Sequence, residues 1–409
     1  MTVPVAPTQI PAAAAALPAN MTDSSRPLKV AFVYEYARRT DDWMMSSLIE
    51  SLRHKLPGLE TTYLHGLFTT YQPGGLRPRR LANLAWVYLR VAWHLLVHRP
   101  DVVLVRTTPP GVQLWTVWWA RFRRVPVFCW LMDYHPEMEA RQLERRGYGA
   151  FARLLRCIDA ALMPRFATII TLDQAMTVLA RARAGGVEVL QHPTWTTSGP
   201  AALTPVSYCP GQSAEVLRLA YSGNLGAAHD LSTLGELLRA LELRRPVRLY
   251  IIGASPAGEE RFRQLTAGQA ISIETHPRVP FAELRGLYHR WQIDAGVVLL
   301  ATESAGLVSP SKFSGYINFG IPLVYVGPPD TNTAEVCTRF QGGFWLPDNA
   351  GAREVAALAA ALLDPGQVTR AATGARAAAS HFAGLNSETL AALLAPRFLR
   401  LGREISHHA

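Results

Sequence analysis

The sequence predicts an α/β protein built from two doubly wound, Rossmann-like halves facing each other across a cleft. Three observations predict it: the chain length, a βαβ rhythm over residues 28–173, and a second series of the same kind that restarts near residue 217. At 409 residues the chain exceeds the size at which a single hydrophobic core keeps growing, so two domains of about 150–200 residues each are expected.

The first series contains the strand segments LKVAFVYEY (28–36), DVVLVRT (101–107), PVFCWLMD (126–133) and ATIITLD (167–173), with a helix expected near 41–56. The second contains LRLAYSGN (217–224), VRLYIIGA (247–254), ISIETHP (271–277), DAGVVLL (294–300), PLVYVG (322–327) and GGFWLPD (342–348). These runs are apolar throughout rather than alternating, as strands are when helices cover both faces of a parallel sheet. Residues 194–215 concentrate Pro, Gly, Ser and Thr without periodicity and are expected to form the interdomain linker. The expected organisation is a flexible leader (1–26), a first domain (27–193), the linker, a second domain (216–385), and a final helix (386–409) returning to the first domain. Ligands are expected at the carboxyl ends of the strands.

With 49% hydrophobic and 18% charged residues the chain is globular in composition, and Lys plus Arg exceed Asp plus Glu by 41 − 31 = 10. The excess is heavy in the first half, at Arg77, Arg79, Arg80, Arg121, Arg123, Arg124, Arg145 and Arg146. Such a field suits an anionic bilayer or phosphorylated small molecules. Nucleic acid is disfavoured as a partner because the cations sit on no recognition element. Cys129, Cys157, Cys209 and Cys337 form no CxxC pair and no metal-ligand spacing, which argues against a zinc site or a disulfide scaffold and fits a cytoplasmic protein. The first 26 residues lack the basic start and apolar core of a secretory signal. The apolar stretch Leu81–Val97 is short for a membrane span and carries Arg90 and His94. Trp86 and Trp93 beside Arg80, Arg90 and Arg99 suit an interfacial helix, and the same pattern suits a helix packed on a sheet; residues 77–99 therefore keep both readings.

Four constellations carry possible chemistry. Tyr221-Ser222-Gly223-Asn224-Leu225-Gly226 follows a predicted strand, where glycines let the backbone approach an anion and open N–H groups attract phosphate. Ser309-Pro310-Ser311-Lys312-Phe313 opens a helical run, and a lysine in a first turn opposes the helix dipole and so asks for an anionic partner. Asp133-Tyr134-His135-Pro136-Glu137 closes a strand of the first half; Asp133 or His135 would accept or relay a proton and Glu137 would orient them, unless the group is simply a helix start. Glu303, in the loop before the lysine helix, is placed to face a donor sugar or to be a solvated glutamate.

Together with Val105-Arg106-Thr107-Thr108-Pro109-Pro110 and with Gly320, these motifs resemble the GT-B glycosyltransferases of family 4, in particular the branch with colanic-acid and O-antigen (fucosaminyltransferase-like) enzymes. The likeness covers about residues 28 to 385. It implies a retaining, metal-independent hexosyltransferase that uses a nucleotide-diphosphate sugar as substrate and needs no cofactor. It also implies a polyprenyl-linked glycan acceptor at the inner face of the cytoplasmic membrane, in cell-surface polysaccharide synthesis. On this resemblance the donor diphosphate falls to Gly223, Asn224, Leu225, Gly226, Ser311, Lys312 and Arg106, while Asp133 and His135 face the acceptor. Three departures stand out: Tyr34-Glu35-Tyr36-Ala37-Arg38-Arg39 replaces a glycine-rich turn, Gly315 replaces a ribose-binding carboxylate, and Ala227 and Ala228 stand where relatives carry an arginine. A nucleotide-sugar epimerase of the same fold, or a non-catalytic sugar- or polyanion-binding protein, are the alternatives.

Overall fold

The computed structural model describes residues 26–34, 43–66, 78–195, 205–211, 215–226 and 228–406. The expected leader except Arg26, residues 35–39, Arg77, most of the expected linker and Ala227 lie outside the described residues.

Two six-stranded parallel sheets form the framework. The first has β1 (Lys29–Val33), β2 (Glu60–Leu64), β3 (Val102–Arg106), β4 (Val127–Trp130), β5 (Thr168–Thr171) and β6 (Glu188–Gln191) in the order β2-β1-β3-β4-β5-β6. The second has β7 (Leu217–Ser222), β8 (Val247–Ile252), β9 (Ser272–His276), β10 (Ala295–Leu299), β11 (Leu323–Val326) and β12 (Gly343–Leu346) in the order β12-β11-β10-β7-β8-β9. The second order reverses between β7 and β10, so the loops leaving those strands diverge and open the crevice where doubly wound sheets hold ligands. All six strands of the second sheet coincide with the expected segments. Two strands of the first, β2 (ETTYL) and β6 (EVLQ), are absent from the sequence expectation because they are partly exposed edge strands with polar residues and no apolar run.

Packing divides the chain into two compact units, residues 1–129 with 387–409, and residues 130–386. In the first unit, α1 (Trp43–Lys55), α2 (Pro78–Val97) and α3 (Val112–Ala120) join the last helix, α14 (Ser387–Ser406). Phe398 of α14 meets Phe128 edge-to-face with ring centroids 4.7 Å apart, and Ser51 donates to the Ser387 hydroxyl at 2.9 Å. The chain end is therefore part of the first unit's core, as expected of a final helix that returns.

In the second unit, both faces of the inner strands of the second sheet are buried. Leu219, Tyr221, Leu249, Ile251, Val297 and Leu299 pack into one apolar cluster, while Ala220, Tyr250, Ile252, Val298 and Leu300 pack into another. Adjacent residues of β7, β8 and β10 enter opposite clusters, which explains their nearly continuous apolar runs, whereas β9 (SIETH) at the sheet edge is polar and largely exposed. Helices α7 (Ser232–Glu242) and α12 (Ala352–Leu363) supply the first cluster, with Leu234, Leu238, Val355 and Ala359; α10 (Lys312–Ile317) and α13 (Pro365–Ala383) supply the second, with Phe313, Tyr316 and Phe382.

Phe398→Ala is expected to lower the unfolding free energy by about 3–5 kcal/mol, the range for a buried aromatic truncated in a packed core. Urea denaturation of the full chain measures it, and a loss below about 1 kcal/mol would show that α14 does not share that core.

Candidate functional site

The turn after β7 and the first residue of α10 meet at the reversal point of the second sheet. Lys312 donates to the Tyr221 hydroxyl at 2.5 Å and to the Asn224 carbonyl at 2.9 Å, and its Nζ lies 3.4 Å from Nε2 of His229. The ammonium also sits 4.2 Å from the centre of the Tyr221 ring, a favourable cation–π distance. None of the described residues places a carboxylate on Lys312. Burial therefore lowers its pKa to about 7, since a desolvated ammonium without a counter-charge gives up its proton more easily.

Gly223 is dictated twice over. Its φ of +102° is a conformation that side-chain-bearing residues avoid, and a Cβ there would stand 2.9 Å from Cε of Lys312. The four amides of the expected anion cradle divide into two pairs. The Gly223 N–H donates to the Ile252 carbonyl at 2.7 Å and the Gly226 N–H to Nδ1 of His229 at 3.1 Å, so both are engaged within the protein. The N–H groups of Asn224 and Leu225 make no such bond among the described residues. Arg261, on α8 (Pro256–Leu265), donates to the carbonyls of Gly226 (3.2 Å) and His229 (3.0 Å) and fixes the turn from behind. Ser311 is exposed, precedes α10 and makes no side-chain cap; the helix starts at Lys312, two residues beyond Pro310.

Asp133, Tyr134, His135 and Glu137 follow β4 in the second unit. Asp133 forms an antiparallel bridge with Val308, and the Tyr134 N–H donates to the Leu307 carbonyl at 2.7 Å. His135 Nδ1 lies 2.6 Å from Glu139 Oε1, one turn on in α4 (Glu137–Arg145), so the carboxylate beside this histidine is Glu139. Glu137 points elsewhere. It is 3% exposed and accepts from Arg141 (3.1 Å), Arg156 (3.0 Å) and Arg183 (2.9 Å), while Arg183 also binds the fully buried Asp159 at 2.9 Å. Burial alone would raise the Glu137 pKa, but the hydrogen bonds from Arg156, Arg183 and Arg141 override it and hold the carboxyl at about 2.

The loop from β10 to α10 carries Glu303 and is braced from several sides. Glu303 itself is exposed, and its backbone carbonyl accepts from Arg141. Thr302 donates its N–H (2.6 Å) and its hydroxyl (2.5 Å) to the Asp348 carboxylate. Gly306, at φ +74°, has no room for a Cβ against the Ala175 carbonyl, 2.8 Å away. Arg106 ends β3 in the first unit, where it is buried. His229, Tyr221 as a hydrogen-bonding group, Arg261, Glu139 and Asp348 are site residues that sequence reasoning did not single out; His229 alone left a trace, three residues past Gly226.

On the first unit, α2 turns Val87, Val91 and Leu95 inward and exposes Trp86, Leu89, Trp93, Leu96 and Val97, with Leu89 67% and Trp93 65% accessible. The adjoining end of α3 adds exposed Trp118 and the 3-10 turn after it (Arg121–Arg123) adds exposed Phe122, with the Arg121 guanidinium 3.6 Å over the Trp118 ring. Arg123 donates to the Leu96 carbonyl at 2.9 Å and ties the two helices together. No helix among the described residues is long and apolar enough to cross a membrane.

The fold defined by these two sheets and the returning helix is the GT-B fold. No protein-family model and no curated sequence matches the chain. WaaG, a glycosyltransferase involved in lipopolysaccharide biosynthesis, is similar with a TM-score of 0.58 and 16% identity, over 89% of this chain and 99% of its own. A glycosyltransferase from Rickettsia africae ESF-5 is similar with a TM-score of 0.56 and 12% identity, over 94% and 100%. Alr3699/HepE of Anabaena, solved in complex with UDP, reaches 0.53 and 13%, over 93% and 99%.

Glu137→Gln is expected to destabilise the protein by about 3–5 kcal/mol at neutral pH, because it leaves three arginines around an uncharged group in a buried network. The depressed pKa sets the pH window: the stabilisation is complete above the ordinary value of 4.5 and is lost as pH falls toward about 2. Unfolding midpoints of both proteins between those limits should converge, and wild-type stability in the variant would remove the structural role.

Proposed function

We propose that this chain is a glycosyltransferase of the family 4 type, moving a sugar with retention and without a metal from a nucleotide-diphosphate donor to a membrane-associated, polyprenyl-linked glycan. The observation that carries this reading is Lys312, a half-buried ammonium at the reversal point of the second sheet whose partners are all neutral. Such a cation calls for an anion, and two open backbone amides, Asn224 and Leu225, stand in the turn it contacts. As the sugar–oxygen bond breaks, charge develops on the departing diphosphate; a preplaced ammonium and fixed N–H dipoles stabilise that charge without reorganising. The UDP-bound HepE neighbour supports a nucleotide donor.

In this reading Asp133 and His135 take the acceptor hydroxyl and Glu303 lies toward the donor sugar. Glu139 replaces Glu137 as the group that orients His135, because both Glu137 oxygens are committed to arginines. The acceptor's lipid would bring the enzyme to an anionic inner membrane face, and the outer stripe of α2 with Trp118 and Phe122 suits that surface: aromatic and aliphatic side chains enter the headgroup boundary while Arg90, Arg121 and Arg124 meet phosphates.

Lys312→Met tests the donor site. Binding of the best ligand among UDP, GDP, ADP and dTDP is expected to weaken at least about tenfold by calorimetry, the scale of a lost charge-assisted hydrogen bond. The melting temperature should hold or rise, because a desolvated charge is removed; unchanged affinity would refute the site. For the membrane surface, a Leu89→Glu, Trp93→Glu double variant is expected to lose most of its flotation with vesicles containing phosphatidylglycerol. Wild-type flotation should weaken with added salt, and equal flotation of both proteins would discard this surface. Release of nucleotide from a sugar donor in the presence of membrane extract, with the anomeric configuration of the product read by NMR, tests transfer and retention together.

A further inference from the structure

His229 stands in the turn region with a disposition that the function proposed above does not use. Its Nε2 faces the Lys312 ammonium at 3.4 Å, the longest of the three contacts that Nζ makes. Its Nδ1 lies between the two polar groups of one residue, 3.1 Å from the Gly226 nitrogen and 3.2 Å from the Gly226 oxygen. The Nδ1 end therefore has a partner in either protonation state: it accepts from the N–H when bare and donates to the C=O when protonated. The Nε2 end has no such freedom. While Lys312 is charged and next to it, Nε2 must carry a lone pair, because a second N–H would oppose the ammonium.

The charged and titratable groups around the ring are Lys312 of α10, Arg261 of α8, Tyr221 of β7 with its ring centroid 6.3 Å away, and the neighbouring Asp230, whose carboxylate is occupied by the N–H (3.1 Å) and hydroxyl (2.5 Å) of Ser232. Burial first, then the charges of Lys312 and Arg261, keep the imidazole neutral in the free protein, with a pKa of about 4. An anion drawn to Lys312 reverses that field. To bind it, Nζ must turn a hydrogen away from a protein acceptor, and the weak contact to His229 is the one to give up.

We propose that His229 is a second, proton-coupled ligand of the donor diphosphate: on binding, it takes a proton from solvent and donates from Nε2, as imidazolium, to the phosphate that Lys312 holds. This rests on the donor-diphosphate reading of the site. Proton and charge balance simply, with one proton taken from water or buffer, one positive charge gained, and no covalent bond altered. Its contribution to affinity is present below the imidazole pKa of the complex and fades as pH rises through it.

Calorimetric titration of UDP, GDP, ADP and dTDP into wild-type, His229→Gln and Lys312→Met proteins tests this, at about pH 6 and about pH 8, in buffers of differing ionisation heat. For the best ligand at the lower pH, wild type should take up roughly one proton more than His229→Gln, a difference in which the titration of the nucleotide's own terminal phosphate cancels, and the variant should bind about tenfold more weakly. At the higher pH the affinity gap should narrow, and uptake should now appear in His229→Gln through Lys312, whose proton is largely lost from the free protein there. If His229→Gln matches wild type in affinity and uptake at the lower pH while Lys312→Met has lost binding, the diphosphate site stands and the imidazolium does not. If none of the four nucleotides binds wild type, both fall. Imidazole 15N shifts of His229 in wild type, with and without nucleotide, give the same answer without a variant: unchanged neutral-ring shifts at the lower pH overturn the proposal.

Discussion

A lysine ammonium withdrawn from water, held among the described residues by a phenol, a carbonyl and an imidazole, is the constraint around which the second sheet's crevice is arranged. Neutral acceptors repay only part of the desolvation cost of a charge, so this arrangement holds positive potential in reserve. Its surroundings follow from that one group. Gly223 has no side chain because Cε of Lys312 occupies the space, and Tyr221 reaches the ammonium because strand alternation sends it to the face where Phe262 packs against its ring at 5.0 Å. The Tyr221 hydroxyl then donates to the Asn224 carbonyl at 2.9 Å, so the same phenol that receives the ammonium also shapes the turn.

The second consequence concerns coupling within the unit of residues 130–386. The loop between β10 and α10 is tied to Asp348, to the Tyr134 and Asp133 backbone, and to Arg141, while the Asn332 side chain donates to the Leu172 carbonyl and Ala175 N–H to Asp330. The segment after β4 and the loop that leads to Lys312 are thus one packed body. Glu137 serves that body by bridging three arginines, two of which also pair with Glu144 and Asp159. A carboxylate with every lone pair committed has no proton to move at neutral pH, and its worth lies in holding α4, α5 (Gly149–Leu162) and α6 (Gln174–Ala184) together.

Much of this was legible beforehand, and what was not has definite causes. The inner strands β7, β8, β10 and β11 announce themselves because both of their faces are buried, whereas β2 and β6 do not, because an edge strand needs few apolar residues. Lys312 and the Gly223 turn could be found from local chemistry: a cation at a helix start and a glycine after a strand. Their partners could not. Tyr221 and His229 lie 91 and 83 positions from Lys312, and Arg156 and Arg183 lie 19 and 46 from Glu137, so only the folded chain reveals them. The Asp133–Glu137 motif shows the limit of spacing arguments, since two carboxylates two positions apart on a helix, Glu137 and Glu139, face different neighbours.

Helix α2 resisted a single reading for a physical reason: one of its apolar faces is packed and the other is exposed. A helix apolar all round is expected where two surfaces cover it. Here the first unit covers Val87, Val91 and Leu95, and solvent meets Leu89 and Trp93. On the membrane docking proposed above, magnitudes weigh the two contributions of the outer face. An arginine near an anionic bilayer contributes about 1 kcal/mol, and each large apolar side chain taken out of water about 1.5–3 kcal/mol. On that reading the aromatic and aliphatic stripe would supply most of the attachment, while the arginines would select the charge of the membrane and the orientation in which the helix settles on it.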